Sequence, residues 1–178
     1  MPDRPPIAEL IVELAEQLGQ PAFTSMCVDL LGGAPRERYL DELPGLTGHS
    51  WAPGDSVRDP GTWGDYWVRS WGARGLLHVW HDSATRAIVL GLDDEHYRPA
   101  EMCLKVAARH DVAGTGDGAA RLATHELPRV RAQAARCLAV VGDTEHGPVV
   151  EALLDDTDPL VRQHASRAWK LLRERLDL

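Results

Sequence analysis

Four basic side chains, Arg74, Lys105, Arg136 and Arg167, recur at intervals of 31 residues. Guanidinium and ammonium groups held at a constant spacing bind carboxylates or phosphates, and the planar fork of arginine does so bidentately. A second set is aromatic. Trp63, Trp67 and Trp71 follow one another at i, i+4 and i+8, with Trp51, Tyr66 and His78 close by, a spacing that lines rings along one helical face. Such rings either glue one element to the next or wall a pocket for a ligand, and both readings stand open. His78, His81 and Asp82 (HVWHD) are zinc-ligand types. Two positions on one helix need a third ligand from elsewhere, however, and His49 and His110 are guesses, so hydrogen-bonded or solvated histidines are the expectation. The chain has no HExxH, GxSxG, Gly-rich phosphate loop or Cys/His nucleophile pattern. No catalytic residue, metal or cofactor is therefore assigned.

The cations belong to a longer phrase. Val130-Arg131-Ala132-Gln133-Ala134-Ala135-Arg136 is answered by Val161-Arg162-Gln163-His164-Ala165-Ser166-Arg167, and Val68 to Arg74 carries it two periods earlier. The unit from Pro99 is degenerate (PAEMCLK) but keeps Lys105. Four units at a fixed spacing predict a repeat solenoid. At about 100° per residue, Val161, Ala165, Ala168 and Trp169 share one side of their helix, as do Val130, Ala134, Cys137 and Leu138; these are expected core. Arg69, Arg131 and Arg162 flank that core. The 74/105/136/167 column lies on the other flank, its members roughly 10 Å apart if the helices stack in parallel. The column either forms a ligand strip or pairs with the loop acids Asp93, Asp94, Asp155 and Asp156. Between the columns, Ala73, Leu77, Leu104, Ala108, Ala132, Ala135 and Ala139 are expected as an exposed apolar floor on which a helix or extended peptide could dock.

These helices need a cap, because the end unit of a solenoid otherwise exposes an apolar face. After a disordered lead over residues 1–6, amphipathic spacing predicts helices at Ile7–Leu18, Ala22–Leu31 and Pro35–Leu43. Residues 44–62, rich in glycine and proline, read as a long loop. The expected division is a cap and loop over 1–62 and a repeat array over 63–178. Thr62 and Asp65 resemble a capping box opening a helix to about Trp80. Further helices are expected near 83–92, 97–109, 116–126, 128–141, 145–154 and 159–173. Asp158-Pro159 is the sharpest start signal. No segment alternates with period two, so no sheet is predicted.

The formal charge of the 178 residues is -8, and the first 65 hold four arginines against eleven carboxylates. Phosphate affinity needs clustered cations, so nucleic acid is disfavoured as a partner. No apolar run approaches the ~20 residues of a membrane span, and no secretory leader is visible. Three cysteines, Cys27, Cys103 and Cys137, without a CxxC pair fit a reduced, cytoplasmic protein with buried thiols. The preference for arginine over lysine hints at a GC-rich, bacterial genome.

Short helix pairs on a 31-residue period, led by Asp-x-Asp-Pro-x-Val-Arg-x-x-Ala (Asp156 to Ala165), resemble HEAT repeats, and among them the short type named for phycobilisome lyases. Leu138 to Val150 is similar to that type's turn. The resemblance covers about 63–178, and it implies that Arg69, Arg131 and Arg162 bond an aspartate of a neighbouring unit, with Asp156 and Asp158 placed to take part. It implies an all-α fold, a right-handed α-solenoid of about four helix pairs behind an N-terminal helical cap. Deoxyhypusine hydroxylases share the architecture but carry several His-Glu dipeptides where this chain has one, His125-Glu126. HEAT-like alkylpurine DNA glycosylases use concave-face tryptophans, an aspartate and arginines, but Asp65 and Asp82 are the only nearby acids here. Nothing beyond the repeat speaks for the lyases' chromophore handling. The resemblance is nearly silent on function, since such arrays serve as adaptors, subunits and a few enzymes; the reading adopted is a non-catalytic adaptor or scaffold that binds a protein or peptide with an acidic or apolar surface. Arg74, Lys105, Arg136 and Arg167 would supply the charge, and Trp67 and Trp71, beside His78, an aromatic anchor. The alternative is a ligand-binding protein or enzyme with a tryptophan-rich pocket, such as a glycosylase relative.

Overall fold

Helix starts keep the beat of the sequence. The computed structural model describes residues 5–177; most of the expected unstructured lead falls on residues 1–4, outside the described residues. Ten α-helices follow one another, with no strand among the described residues. They are α1 (Ile7–Leu18), α2 (Gln20–Leu31), α3 (Leu43–Thr47), α4 (Asp65–His78), α5 (Thr85–Gly91), α6 (Tyr97–His110), α7 (Gly116–Leu122), α8 (Pro128–Val141), α9 (Gly147–Ala152) and α10 (Pro159–Leu176). The short helices α5, α7 and α9 begin at 85, 116 and 147, and the long helices α6, α8 and α10 at 97, 128 and 159. Both series advance by 31 residues. The fold is an all-α arrangement of HEAT-like helix pairs, as the repeat predicts.

The beat has a local cause that the repeated phrase did not reveal. Two residues before each long-helix N-cap, a side chain turns back to accept a backbone N–H. Asp94 Oδ1 accepts from His96 at 2.8 Å, His125 Nδ1 from Leu127 at 3.0 Å and Asp156 Oδ1 from Asp158 at 2.8 Å. Aspartate and histidine both present an acceptor at the right reach, so the position tolerates either. His96 and Asp158 then cap α6 and α10 through Arg98 N–H and Leu160 N–H, each cap contributing about 1 kcal/mol.

The chain divides into two compact units, a first ending at Ala87 and a second beginning at Ile88. In the first, α2 packs chiefly on α4, and α1 on α3 and α2. Phe23, Leu30, Leu43, Leu46 and Leu76 form its fully buried centre. Gly72 lets α4 lie against the backbone of α2: a Cβ there would stand 2.6 Å from the Cys27 carbonyl oxygen and 2.8 Å from the Leu31 nitrogen. The third expected cap helix, Pro35–Leu43, is corrected. Only a 3-10 turn forms at Arg36–Tyr39, and α3 starts at Leu43 with Pro44 in its first turn, where a missing N–H costs nothing. Nor is Thr62 a cap: Gly64 precedes α4, and the Thr62 hydroxyl donates to Asp59 at 2.7 Å.

In the second unit α8 lies between α6 and α10, with α7 on α8 and α9 on α10. Val130, Ala134, Cys137 and Leu138 on α8, with Val161, Ala165 and Ala168 on α10, are buried as expected. Trp169 is not. It shares an outward face with Ser166, Lys170 and Arg173, whose guanidinium lies 5.9 Å from its ring centre. The expected apolar floor is also corrected, because Ala73, Leu104, Ala132, Ala135 and Ala139 are all buried. Alanines on a helix with neighbours on two sides are where those neighbours seat, since small side chains permit close approach.

Candidate functional site

The aromatic residues sit in the first unit. Loop residues 48–64 hold Trp51 and Trp63, and one buried arginine fastens the loop. Arg36, on the turn after α2, is 2% exposed. Its guanidinium donates to the Val57 carbonyl at 2.8 Å, to the Trp63 carbonyl and to Asp65 Oδ1 at 2.8 Å. A charge this deep is tolerated only because fixed acceptors surround it. Thus anchored, Trp63 meets Trp67 at 5.3 Å and Trp71 at 5.8 Å between ring centres, and His49 at 5.3 Å. Trp51 stands edge-on to Trp71 at 5.6 Å and donates its indole N–H to Thr47. Trp51 and Trp71 are buried, whereas Trp63, Tyr66 and Trp67 are half-buried and His49 is exposed. The cluster glues the loop to α4 and leaves an aromatic edge in solvent.

His78, at the end of α4, is half-buried. His81 Nδ1 accepts the Ser83 N–H at the start of a 3-10 turn, and Asp82 accepts the Trp80 indole N–H at 2.9 Å. Both side chains act as local turn fasteners. Among the described residues, no group of three or more His, Cys, Asp or Glu could hold a metal ion. The three cysteines are buried. Burial pushes all three thiols up, Cys137 to about 12, so reactive thiolate is scarce at neutral pH.

The members of the cation column have unequal surroundings. Arg74 lies largely within the first unit, donating to the Leu46 carbonyl at 2.9 Å, and burial lowers its pKa. In the second unit, Lys105 pairs with Glu101 at 3.2 Å, a buried carboxylate that also holds Arg129 at 2.8 Å. Arg136 and Arg167 are exposed. They line one concavity of ≈310 Å³ together with His164 and the apolar Ala139, Val140, Ala168 and Leu171. Burial, then the charges of Arg136 and Arg167, lower the His164 pKa. His164 therefore stays neutral at pH 7, able both to donate and to accept a hydrogen bond. Sequence reading missed it because its position in the other units holds Trp71, Met102 and Gln133, so the repeat marks nothing there.

The other arginine column is structural. Arg131 grips Asp156 with Nε at 2.7 Å and a second nitrogen at 2.8 Å, and also donates to the carbonyls of His125 and Glu126. That bidentate hydrogen bond holds the Asp156 carboxyl below the usual carboxylate range. Arg162 repeats half of the pattern, binding the carbonyls of Asp156 and Thr157. Successive turns are thus riveted along one flank, leaving the opposite flank to Arg136 and Arg167.

No curated protein matches the chain. Residues 117–175 match the family model of HEAT repeats, a stretch that runs from α7 through most of α10. With helix pairs advancing by 31 residues, an arginine–aspartate rivet between turns and that match falling on the same segment, residues 117–175 form a stretch of HEAT-like repeats.

Proposed function

We propose that this protein is a non-catalytic interaction module, whose second unit binds a partner protein or peptide on the face made by its long helices. One observation carries the reading: Arg136 and Arg167 stand exposed over a concavity with apolar walls on two helices packed side by side. A row of helices fixed by rivets and caps loses little entropy on binding, and exposed arginines over apolar ground are the chemistry of binding hot spots. Lys105 extends the charge toward α6, although Glu101 partly neutralises it. Of the two tryptophans expected as an aromatic anchor, Trp71 is buried in the first unit's core and only Trp67 keeps a partly open ring. The chain's negative charge, and the small number of exposed cations in one place, favour a protein over nucleic acid. No helix among the described residues is long and apolar enough to cross a membrane.

The test is capture of partners from the native cell by the tagged protein, compared with a variant carrying Arg136→Glu and Arg167→Glu. A partner retained by the wild type and lost by a folded variant supports the reading. Equal recovery by both refutes it. A second reading, a small-ligand site at the tryptophans, is favoured by the half-buried rings of Trp63 and Trp67 beside exposed His49. Indole fluorescence titrated with nucleotides, metals and nucleic acid separates the two, since a saturable change would favour the ligand site.

A further inference from the structure

The exposed stripe of α10 that borders the groove has a pattern of its own. Leu160, His164, Arg167 and Leu171 follow one another at intervals of 4, 3 and 4 residues, which places all four on one helical face. Leu160 is 49% and Leu171 53% exposed, two of the four large apolar side chains left open to solvent among the described residues. Between them sit the groove's imidazole and one of its guanidinium groups, and Arg136 of α8 supplies the other. The order along the stripe is therefore apolar, polar, cationic, apolar.

This order selects the occupant. Two arginines converge on one concavity with no carboxylate among the residues that line it. Paired guanidinium groups, backed by a neutral imidazole that can donate a hydrogen bond, match a carboxylate. A lone phosphate would satisfy the charge but would leave Leu160, Leu171 and the half-buried Val140 in water. An acidic residue flanked by apolar ones satisfies both. The leucines lie 11 residues apart on α10, about 16 Å along a helix axis, and the 4-3-4 spacing reads the same in either direction. A partner helix with the complementary pattern fits without a required polarity.

We propose that the groove between α8 and α10 receives one face of an amphipathic acidic helix, with Arg136 and Arg167 binding its central carboxylates and Leu160 and Leu171 seating its flanking apolar side chains. The proposal rests on the interaction-module reading and names the chemistry of the partner.

The probe is a synthetic, end-capped 15-residue peptide with leucines at positions 2 and 13, glutamates at 6 and 9, and alanine and glutamine elsewhere. Its binding to the full chain is followed by amide chemical shifts and by fluorescence anisotropy of a labelled copy. Expected are saturable shifts confined to α8 and α10, a weakening of about tenfold on replacing both glutamates by glutamine, and a similar loss in the R136E and R167E variants. L171S, an exposed substitution that leaves the charges in place, should weaken binding severalfold. Absence of shifts on α8 and α10 at millimolar peptide overturns the proposal, as does equal affinity for the glutamine peptide. Inorganic phosphate or a single-stranded oligonucleotide shifting the same residues at lower concentration also overturns it, in favour of an anion site. Failure of the peptide while R136E/R167E still abolishes cellular capture sinks the helix and leaves the module standing. Peptide binding as expected, with capture indifferent to those substitutions, upholds the groove chemistry and removes the module reading.

Discussion

The two units solve the same problem, fixing helix ends, by opposite means. The second unit does it three times over with one local device: an acceptor two residues ahead of the N-cap, at Asp94, His125 and Asp156. The first unit does it over long sequence separation, with the buried Arg36 binding Val57, Trp63 and Asp65 at the centre. A repeated local device spreads stability over many weak contributions, so losing one member leaves the rest in place. A single central anchor concentrates it. The first unit should be fragile at a few points and the second tolerant at most.

The largest effect is expected at that anchor. Arg36→Ala strands the Val57 and Trp63 carbonyls and opens a buried hole, costing about 3 kcal/mol or more. Urea denaturation followed by tryptophan emission measures it, and a cost below that of the second-unit variants would break the contrast. Next comes Gly72→Ala, whose Cβ meets α2 backbone at 2.6 and 2.8 Å. Backbone cannot swing aside, so about 2 kcal/mol is expected, while Gly54→Ala, with open space around it but a φ of +93°, should cost only about 1 kcal/mol.

Within the second unit, Asp156→Ala removes the Arg131 rivet and the turn acceptor together, about 2 kcal/mol. Asp94→Ala, whose turn bond to His96 is of the same kind, should cost about 1 kcal/mol. The Asp156 penalty is also pH-dependent. Its folded pKa is depressed, so its stabilisation is full above the ordinary carboxylate pKa of 3.8 and is lost as pH falls through the lower folded value. The wild-type and D156A melting curves should therefore converge in acid. The smallest effect is electrostatic: Arg136→Glu leaves stability nearly unchanged but raises the His164 pKa, because a positive neighbour that lowers it becomes a negative one. Imidazole resonances followed across pH report it, and an unmoved midpoint would mean Arg136 does not face His164.

Much of this was legible beforehand. The Val-Arg-x-x-Ala-x-Arg phrase located α8 and α10, and Asp158-Pro159 marked the start of α10 to the residue. The Arg131–Asp156 rivet was implied by the resemblance to HEAT repeats rather than by the phrase itself. Other features were not legible for a definite reason. The phrase treats Arg74, Lys105, Arg136 and Arg167 as equivalent, yet Leu46 and Glu101 occupy the first two, and neither partner recurs with the period. The alanines were expected in solvent because periodicity gives the side of a helix but not how many neighbours that helix has. Arg36 carried no signal, since a lone arginine near a Pro/Gly loop looks like any solvated cation.

By itself the sequence determined the all-helical class, the 31-residue period and the starts of the long helices, because these depend on side chains a few positions apart acting on their own backbone. Tertiary structure decided which cations face solvent, which aromatic rings are covered and how the loop is held. Those outcomes depend on residues that meet only after folding, where burial selects among groups that are chemically alike along the chain.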